Sequence, residues 1–155
     1  PYPVIRMAEM YLNLAEILIE LDALENTTGR LEEAKGLIDK IRVRAGIPTI
    51  DEAWKKANHP EKANTAEGLR EIVRRERQIE FYLENQRFWD LRRWKDAGIL
   101  GEKVWGMNIE GDTDETFFVP TELQNIRTFK QAQYLMPIPM TETNKVPHIV
   151  QNPGY

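Results

Sequence analysis

Apolar residues recur every three or four positions through the first third of the chain, which is the spacing of amphipathic helices. The pattern predicts a first helix over residues 5–22, followed by a break over 26–29, where the sequence reads Asn-Thr-Thr-Gly. A second helix is predicted over about 30–45, because Gly46 and then Pro48 end the pattern. Two amphipathic helices joined by a short turn form a helix hairpin.

The predicted hairpin gives each helix a face toward the core. In the first helix the inward residues are Ala8, Tyr11, Leu14, Ala15, Leu18 and Leu21. The opposite, polar face carries Glu9, Asn13, Glu16 and Glu20. In the second helix the inward residues are Leu31, Ala34, Ile38, Ile41 and Ala45. We expect small Ala15 and Ala34 to let the helices approach closely, with Tyr11 filling the space between them.

Two further helices are predicted after a loop over residues 47–64, which holds a short helix at about 51–57. The third helix extends from Thr65 or Ala66 to residue 84, with Thr65 as the N-cap. Asn85 follows it at a position where a left-handed residue is expected. The fourth helix covers 86–97 and is ended by Gly98.

The pattern changes from residue 99 onward, where glycine, proline and short β-leaning runs replace the helical spacing. Short strands are predicted at 116–119 and 133–136, and Pro153-Gly154 predicts a type II turn. The predicted fold is therefore mostly α. Helix hairpins with about four main helices fill 1–98, and an irregular, loop-rich wrap with short strands fills 99–155 of the same single region.

Composition excludes several classes of function. The net charge of −4 and the pI near 5.3 argue against nucleic-acid binding, which needs an excess of basic residues. The chain has no cysteine, which removes disulfides, thiolate metal ligands and cysteine nucleophiles. It contains no apolar run of about 18 residues. Because a helix begins almost at once and no Met precedes it, we expect the chain to be the back part of a longer protein.

Glu76 and Glu80 are the sharpest candidates for chemistry. On a helical wheel the third helix buries Leu69, Ile72, Ile79 and Leu83, and both glutamates fall inside that stripe. A retaining glycosidase needs two carboxyl groups about 5 Å apart. The alternative is that both glutamates form buried ion pairs with arginines of the next helix, namely Arg87, Arg92 or Arg93. We favour the ion pairs, because nearby arginines lower a carboxyl pKa where a general acid needs it raised.

Other motifs are weak. His59 and His148 lie beside prolines in loops, so no histidine joins the acids in a metal site. The acidic segment 110–115 lacks the glycine and distal glutamate of an EF-hand loop, and a solvated loop is favoured. Nucleophile elbows, phosphate loops and dinucleotide fingerprints are absent from the sequence. The prediction is no catalytic residue, no metal and no cofactor.

The tryptophans leave two interpretations open. Trp54 and Trp105 lie in predicted loops, where an indole ring either stacks on a sugar face or anchors the loop to the core. They are therefore the glycan-stacking candidates of this chain. Phe88 and Trp94 share a helix face with Leu91 and are expected in the core.

Four sequence blocks resemble the SusD/RagB family of outer-membrane nutrient-binding lipoproteins. They appear in the family's order and span nearly the whole chain. The blocks are Arg6-Met-Ala-Glu-Met-Tyr-Leu-Asn-Leu-Ala-Glu16, Ile41-Arg-Val-Arg-Ala-Gly46, Arg74-Arg-Glu-Arg-Gln-Ile-Glu80 with Arg87-Phe-Trp-Asp-Leu-Arg-Arg-Trp94, and Tyr134-Leu-Met-Pro-Ile-Pro139 with Gln151-Asn-Pro-Gly-Tyr155.

The resemblance implies the C-terminal part of a mostly helical lipoprotein on the outer face of the outer membrane, held there by an N-terminal lipid anchor outside this chain. Its tetratricopeptide-like helices would dock on a SusC-type TonB-dependent transporter, and the protein would capture an oligosaccharide without catalysis. In such a protein Arg87, Asp90, Arg92 and Arg93 would hold the third helix to the fourth. The glycan site would come mainly from upstream segments and variable loops.

Two other functions remain open from the sequence. The helix hairpins also fit a helical-repeat scaffold that binds a protein partner. A glycosidase acting through Glu76 and Glu80 is the third hypothesis.

Overall fold

The computed structural model describes residues 5–123, 127–146 and 148–155. The chain divides into two compact units, Pro1–Arg87 and Phe88–Tyr155. It is mostly helical, as predicted, and the described residues form six α-helices and one two-stranded sheet. Within these residues, no helix combines the length and the apolar character needed to cross a lipid bilayer.

The first unit holds four helices. Their bounds are α1 Met7–Glu25, α2 Leu31–Arg44, α3 Ile50–Trp54 and α4 Ala66–Glu80, with a 3-10 helix at Pro60–Asn64 before α4. The predicted stop at Gly46 is confirmed: this glycine has a φ of 73°, and the N–H of Ile47 donates back to the Arg42 carbonyl. Asn26 ends α1 in the same left-handed way, with a φ of 53°.

The core of this unit lies where α1 packs on α2 and α4. Its fully buried side chains include Leu12, Ala15, Ile19, Ala34, Ile38, Leu69 and Val73. Ala15 and Ala34, both predicted to face inward, are completely buried. Tyr11 packs against this core beneath Lys40 of α2, whose Nζ lies 4.8 Å from the ring centre.

The predicted inward face of α1 is partly wrong. Leu12 and Ile19 are buried, whereas Leu14 and Leu21 are 42% and 38% exposed. Glu16, assigned to the polar face, is only 8% exposed. The physical reason is that α1 carries large apolar residues on opposite sides, so the wheel could not identify which side meets the core.

The predicted end of α4 is also wrong. The helix ends at Glu80 because Phe81 turns into the core, at 3% exposure, while Ile79 and Leu83 are 62% and 87% exposed. The guanidinium groups of Arg6 and Arg77 lie 5.2 and 5.3 Å from the centre of the Phe81 ring, next to the turn over residues 81–85. The left-handed conformation predicted for Asn85 is confirmed, with a φ of 63°.

Helix α5, Gln86–Arg93, crosses the boundary between the units and is shorter than predicted. The turn that follows the helix contains Lys95, which has a φ of 57°. The N–H of Asp96 donates back to the Leu91 carbonyl. This is a Schellman turn built on a residue type that rarely forms one. Gly98 does not end the helix but lies in a 3-10 helix, Ala97–Gly101. Leu91 is buried, whereas Phe88 and Trp94 are only partly buried.

The strands of the second unit differ from those predicted. Strand β1, Trp105–Met107, pairs antiparallel with β2, Pro120–Glu122, and Trp105 lies opposite Glu122. The segment 116–119 is not a strand, because Phe118 adopts a φ of 58° and interrupts the extended backbone. Residues Gln131–Tyr134 form a 3-10 helix, so the predicted strand at 133–136 is wrong.

The end of the chain is held by side-chain hydrogen bonds of Gln151, Asn152 and Tyr155 to the backbone of residues 135–138. Gln151 accepts a hydrogen bond from the Ile138 N–H at 2.9 Å and donates to the Ile138 carbonyl at 2.8 Å, as a strand partner would. Helix α6, Met140–Lys145, lies between these residues in sequence. The turn predicted at Pro153-Gly154 forms, with a φ of 91° at Gly154 and a hydrogen bond from the Tyr155 N–H to the Asn152 carbonyl.

Gly68 explains how α4 begins. The Thr65 hydroxyl caps the helix by accepting from the Gly68 N–H at 3.1 Å, and a Cβ on Gly68 would lie 2.2 Å from the Lys62 carbonyl oxygen. We therefore expect Gly68→Ala to lower the free energy of unfolding by about 1–3 kcal/mol, because backbone must move. Gly36→Ala, in the open middle of α2, should raise it by about 0.5–1 kcal/mol. Urea unfolding measures both, and equal effects would contradict the packing described here.

Candidate functional site

Glu76 and Glu80 lie on the side of α4 that faces the other helices of the first unit. Both side chains are 12% exposed. Arg42 of α2 contacts the Glu76 carboxylate through Nη1. Glu80 accepts from Arg6 Nη1 at 2.6 Å and from Arg44 Nη2 at 2.6 and 2.7 Å. The Glu80 carboxylate is thus shared by two arginines that come from different parts of the chain.

Arg6, the residue immediately before α1, links the start of α1 to the end of α4. Its Nε and Nη2 donate to the two carboxylate oxygens of Glu84 at 3.0 and 2.7 Å. Nη2 also donates to the Glu80 carbonyl at 3.0 Å, where an unpaired carbonyl at a helix end favours a positive charge. The guanidinium lies 5.2 Å from the Phe81 ring centre. One side chain therefore binds the carboxylates, the backbone and the ring that together define the end of α4.

Arg77 is the most deeply buried arginine of this network, at 3% exposure. Its Nη1 donates to Asn13 Oδ1 at 2.7 Å, and its Nε lies 4.0 Å from Glu16 Oε2. Arg77 also contacts Phe81, because its guanidinium lies 5.3 Å from the centre of the ring. Glu16, predicted to be solvated, is therefore a buried partner of α4.

A further pair continues the contact between α1 and α4. Arg70 donates from Nε and Nη2 to the two carboxylate oxygens of Glu20 at 2.6 and 2.7 Å. The hydrogen bonds from Arg70 lower the pKa of Glu20, and burial opposes that shift. For Glu80, burial alone would raise the pKa, but the hydrogen bonds from Arg6 and Arg44 outweigh it and lower the pKa. Both glutamates are therefore anionic at neutral pH.

The arginines that bind Glu76 and Glu80 differ from those predicted. Arg87, Arg92 and Arg93 were expected, but the partners are Arg6, Arg42 and Arg44. The reason is that α1 and α2 pack against the face of α4 that carries both glutamates.

Two arginines of α5 make contacts within that helix. Arg93 Nε is 2.9 Å from Asp90 Oδ1, and Arg92 Nη1 donates to the Phe88 carbonyl at 3.0 Å. The Arg92 guanidinium also stacks 3.5 Å from the Phe88 ring centre. These contacts stiffen α5, and Arg87 is a partly buried residue near its start.

Trp54 ends α3 and packs against the core between two cavities. One cavity, of about 370 Å³, is also lined by Lys35, Asp51 and Asn64. The other, of about 240 Å³, is lined by Arg42 and Glu76 among others. Lys35 is buried, and its Nζ lies 3.0 Å from Asp51 Oδ1 and 3.4 Å from Asn64 Oδ1. Trp54 therefore presents only part of its ring to solvent.

Trp105 is placed very differently. It lies on β1 and is 62% exposed, and three apolar side chains of the connection between β1 and β2 are more than half exposed. These are Ile109 at 72%, Phe117 at 52% and Phe118 at 60%. Phe117 and Phe118 have ring centres 6.0 Å apart. The hairpin thus presents aromatic faces to solvent, and strained residues such as Phe118 are often found at binding sites.

The candidate metal ligands remain dispersed. Among the described residues, no three His, Cys, Asp or Glu side chains form a group that could hold an ion. His59 is exposed, and its Nδ1 lies 3.1 Å from Glu61 Oε1. In the acidic segment, the Glu110 N–H donates to Asn108 Oδ1, which makes an ordinary turn.

Comparison with known proteins gives a consistent result. Residues 1–155, the whole chain, match the SusD family. The chain belongs to the SusD family. A SusD-like protein of Bacteroides fragilis, BF3747, is 36% identical with a TM-score of 0.72, over 98% of this chain and 25% of that one. The selenomethionine form of BT4246 is 33% identical with a TM-score of 0.77, over 97% of this chain and 24% of that one. No curated protein matches the chain.

This SusD-family chain therefore spans about a quarter of the length of these two relatives. The blocks that carried the resemblance are also those that meet in space. Arg6 comes from the first block, Arg42 and Arg44 from the second, and Glu76 and Glu80 from the third. Sequence reasoning missed these three arginines as partners, although each stands inside a block already singled out.

Removing the Glu80 charge should destabilise the fold. In Glu80→Gln, Arg6 and Arg44 lose a shared, largely buried carboxylate, so we expect the free energy of unfolding at pH 7 to fall by about 2 kcal/mol. Glu71→Gln, on the solvent side of the same helix, breaks an exposed contact with Lys62 and should leave stability unchanged within error. Urea unfolding separates the two. Equal stability of wild type and Glu80→Gln would refute the buried ion pair.

The stabilisation that Glu80→Gln removes should depend on pH. Because the folded-state pKa of Glu80 lies below its ordinary value of 4.5, its ionised form stabilises the fold above pH 4.5, and this contribution is lost as the pH falls through the lower folded-state pKa. The difference in unfolding free energy between wild type and Glu80→Gln should be constant near pH 7 and shrink below pH 4.5. A difference that stays constant into acid would contradict the assignment; urea unfolding at a series of pH values measures it.

Proposed function

We propose that the chain is a structural part of a non-catalytic, nutrient-binding protein of the SusD family, which captures oligosaccharides for a SusC-like TonB-dependent transporter. The membership in the family supports this role. On the same ground we propose an outward-facing lipoprotein of the outer membrane, held by an N-terminal lipid anchor. The protein would need no cofactor for capture.

The observation that carries the non-catalytic assignment is the pairing of both candidate glutamates with arginines. A retaining glycosidase needs one protonated carboxyl to donate to the leaving group. Glu80 accepts hydrogen bonds from Arg6 and Arg44, which lower its pKa, and Glu76 is paired with Arg42. A carboxylate whose pKa is lowered cannot serve as that acid at neutral pH. The two glutamates therefore fit a structural role, in which their ion pairs hold neighbouring helices together.

The exposed hairpin is the better of the two predicted glycan contacts. Sugars bind proteins partly by packing their C–H faces on aromatic rings, which requires an accessible ring. Trp105 satisfies this requirement, and Phe118 adds a second exposed ring in the same hairpin. Trp54 is half covered and packed on the core. We therefore propose Trp105 as a sugar-stacking residue and Trp54 mainly as an anchor for α3.

Isothermal titration of the full-length protein against a panel of oligosaccharides tests the proposal. We expect at least one glycan to bind, and Trp105→Ala to weaken it about tenfold, equivalent to roughly 1.4 kcal/mol. Trp89→Ala is the matched control, because Trp89 is also exposed, at 54%, but lies on α5. Hydrolysis of aryl glycosides should not exceed the uncatalysed rate.

Three results would count against the proposal. Turnover that disappears in Glu80→Gln would revive the glycosidase. Failure to bind any glycan, together with failure to co-purify with a transporter, would favour the helical-repeat scaffold that binds another protein. Binding unchanged in Trp105→Ala would leave the nutrient-binding role intact and remove only the hairpin from the site.

A further inference from the structure

Trp105 has a carboxylate beside it on the same face of the β1–β2 hairpin. The antiparallel register pairs Trp105 directly with Glu122. Directly opposed residues point their side chains to one side of a sheet, with Cβ atoms about 5 Å apart. Glu122 Oε2 also accepts a hydrogen bond from Lys103 Nζ at 2.7 Å. The exposed indole ring therefore has a carboxylate as its neighbour, and that carboxylate holds an ammonium group.

The pair of Lys103 and Glu122 is open to a ligand. Their side chains are 68% and 44% exposed, and ion pairs this exposed add little to stability because water and salt screen them. Within the described residues, Glu122 Oε1 accepts no hydrogen bond. An ammonium group carries three hydrogens, of which Glu122 takes one. One carboxylate oxygen and two ammonium hydrogens can therefore bind another molecule.

These groups match the edge of a stacked sugar. A pyranose that packs its C–H face on an indole ring directs its equatorial hydroxyls sideways, past the rim of that ring. Such hydroxyls can donate to a carboxylate or accept from an ammonium group, and hydrogen bonds to charged groups are about twice as strong as neutral ones. A carboxylate accepts but never donates. Glu122 therefore favours sugar hydroxyls and repels the carboxylate or sulfate groups of acidic sugars.

The rest of the hairpin adds charge of the same sign. Residues 102–122 carry one base, Lys103, and six acids, a net charge of −5. Those acids are Glu102, Glu110, Asp112, Asp114, Glu115 and Glu122. The four in the connection between the strands are exposed, and none has an ion-pair partner in the part of the chain that the structure describes. They give the hairpin an uncompensated negative potential.

Asn108 holds this acidic connection against the strands. Its Nδ2 donates to the Thr116 carbonyl at 2.9 Å, and its Oδ1 accepts from the Glu110 N–H at 3.0 Å. The Phe118 N–H donates to the Asn108 carbonyl at 2.6 Å. The backbone is so close at Gly111 that a Cβ there would lie 2.4 Å from the Thr116 carbonyl oxygen. The backbone that carries the acids is thereby kept beside the strands.

On the basis of the proposed nutrient-binding function, we propose that Glu122 determines the class of glycan that the Trp105 site accepts. Glu122 accepts hydrogen bonds from the hydroxyls of a neutral sugar stacked on Trp105. Together with the acids of the connection, it excludes sugars that carry carboxylate or sulfate groups. Lys103 opposes that exclusion, because its positive charge lies against the Glu122 carboxylate.

Titration of the full-length protein with matched neutral and anionic glycans tests this specificity. The probes are maltoheptaose, cellohexaose, laminarihexaose and mannohexaose, each also in a form whose C6 hydroxyls have been oxidised to carboxylates. We expect a neutral glycan that binds to do so at least about tenfold more tightly than its oxidised form. The measurement is made at low salt, where exposed charges are screened least.

Two variants separate charge selection from a structural role, because both break the same ion pair. Glu122→Gln should weaken binding of the neutral glycan about fivefold and lower the ratio of neutral to oxidised affinity about threefold. Lys103→Gln should raise that ratio about threefold. Loss of the pair alone would move the ratio in one direction for both variants, or not at all. Glu142→Gln is the control, since it removes the same charge from an exposed pair with Lys145 on α6 and should leave the ratio unchanged.

The outcomes distinguish this specificity from the nutrient-binding function. Oxidised glycans that bind as tightly as neutral ones would overturn the role of Glu122 and leave nutrient binding intact. So would a ratio that the two variants leave unchanged or move in the same direction, and so would neutral binding that is unaffected by Trp105→Ala. Failure of every neutral probe would also overturn it. The nutrient-binding function falls as well only if no glycan of the wider panel binds and no transporter co-purifies.

Discussion

The shared carboxylate of Glu80 is the contact on which the first unit depends. Arg6 reaches it from the residue before α1, and Arg44 reaches it from the last turn of α2. Three segments far apart in sequence are thereby fixed at one end of α4. Because charged groups with little exposure are costly when unpaired, removing one member affects all three segments. The same hydrogen bonds lower the pKa of Glu80 and keep this carboxylate ionised at neutral pH.

Left-handed backbone positions were predictable where the residue itself favours that conformation. Gly46 and Asn85 were identified for that reason, and both adopt it. Lys95 adopts the same conformation and was missed, because lysine carries no such preference and only the surrounding hydrogen bonds select it. The early end of α4 was missed for a related reason: Phe81 leaves the helix and is buried beside Arg6, which is distant in sequence.

The sequence predicted that Glu76 and Glu80 form ion pairs, but it did not identify the arginines that pair with them. The wheel placed Glu76 and Glu80 toward other helices and the abundance of arginine indicated ion pairs, yet the partners came from α1 and α2. A pattern within one helix indicates which face is covered, but not which element covers it. Helix α1 shows the limit most clearly, since Leu14 and Leu12 are equally apolar and only packing distinguishes them.

One of the contacts that hold the C-terminal segment depends on the chemical identity of a single functional group. Gln151 satisfies both the N–H and the carbonyl of Ile138 because an amide offers one donor and one acceptor side by side. A carboxylate offers acceptors only, so it would turn a lone pair toward that carbonyl. Hydrolysis of this amide during ageing would therefore remove the hydrogen bond to the Ile138 carbonyl while every peptide bond stayed intact, and Asn152 and Tyr155 would still donate to the carbonyls of Met136 and Leu135.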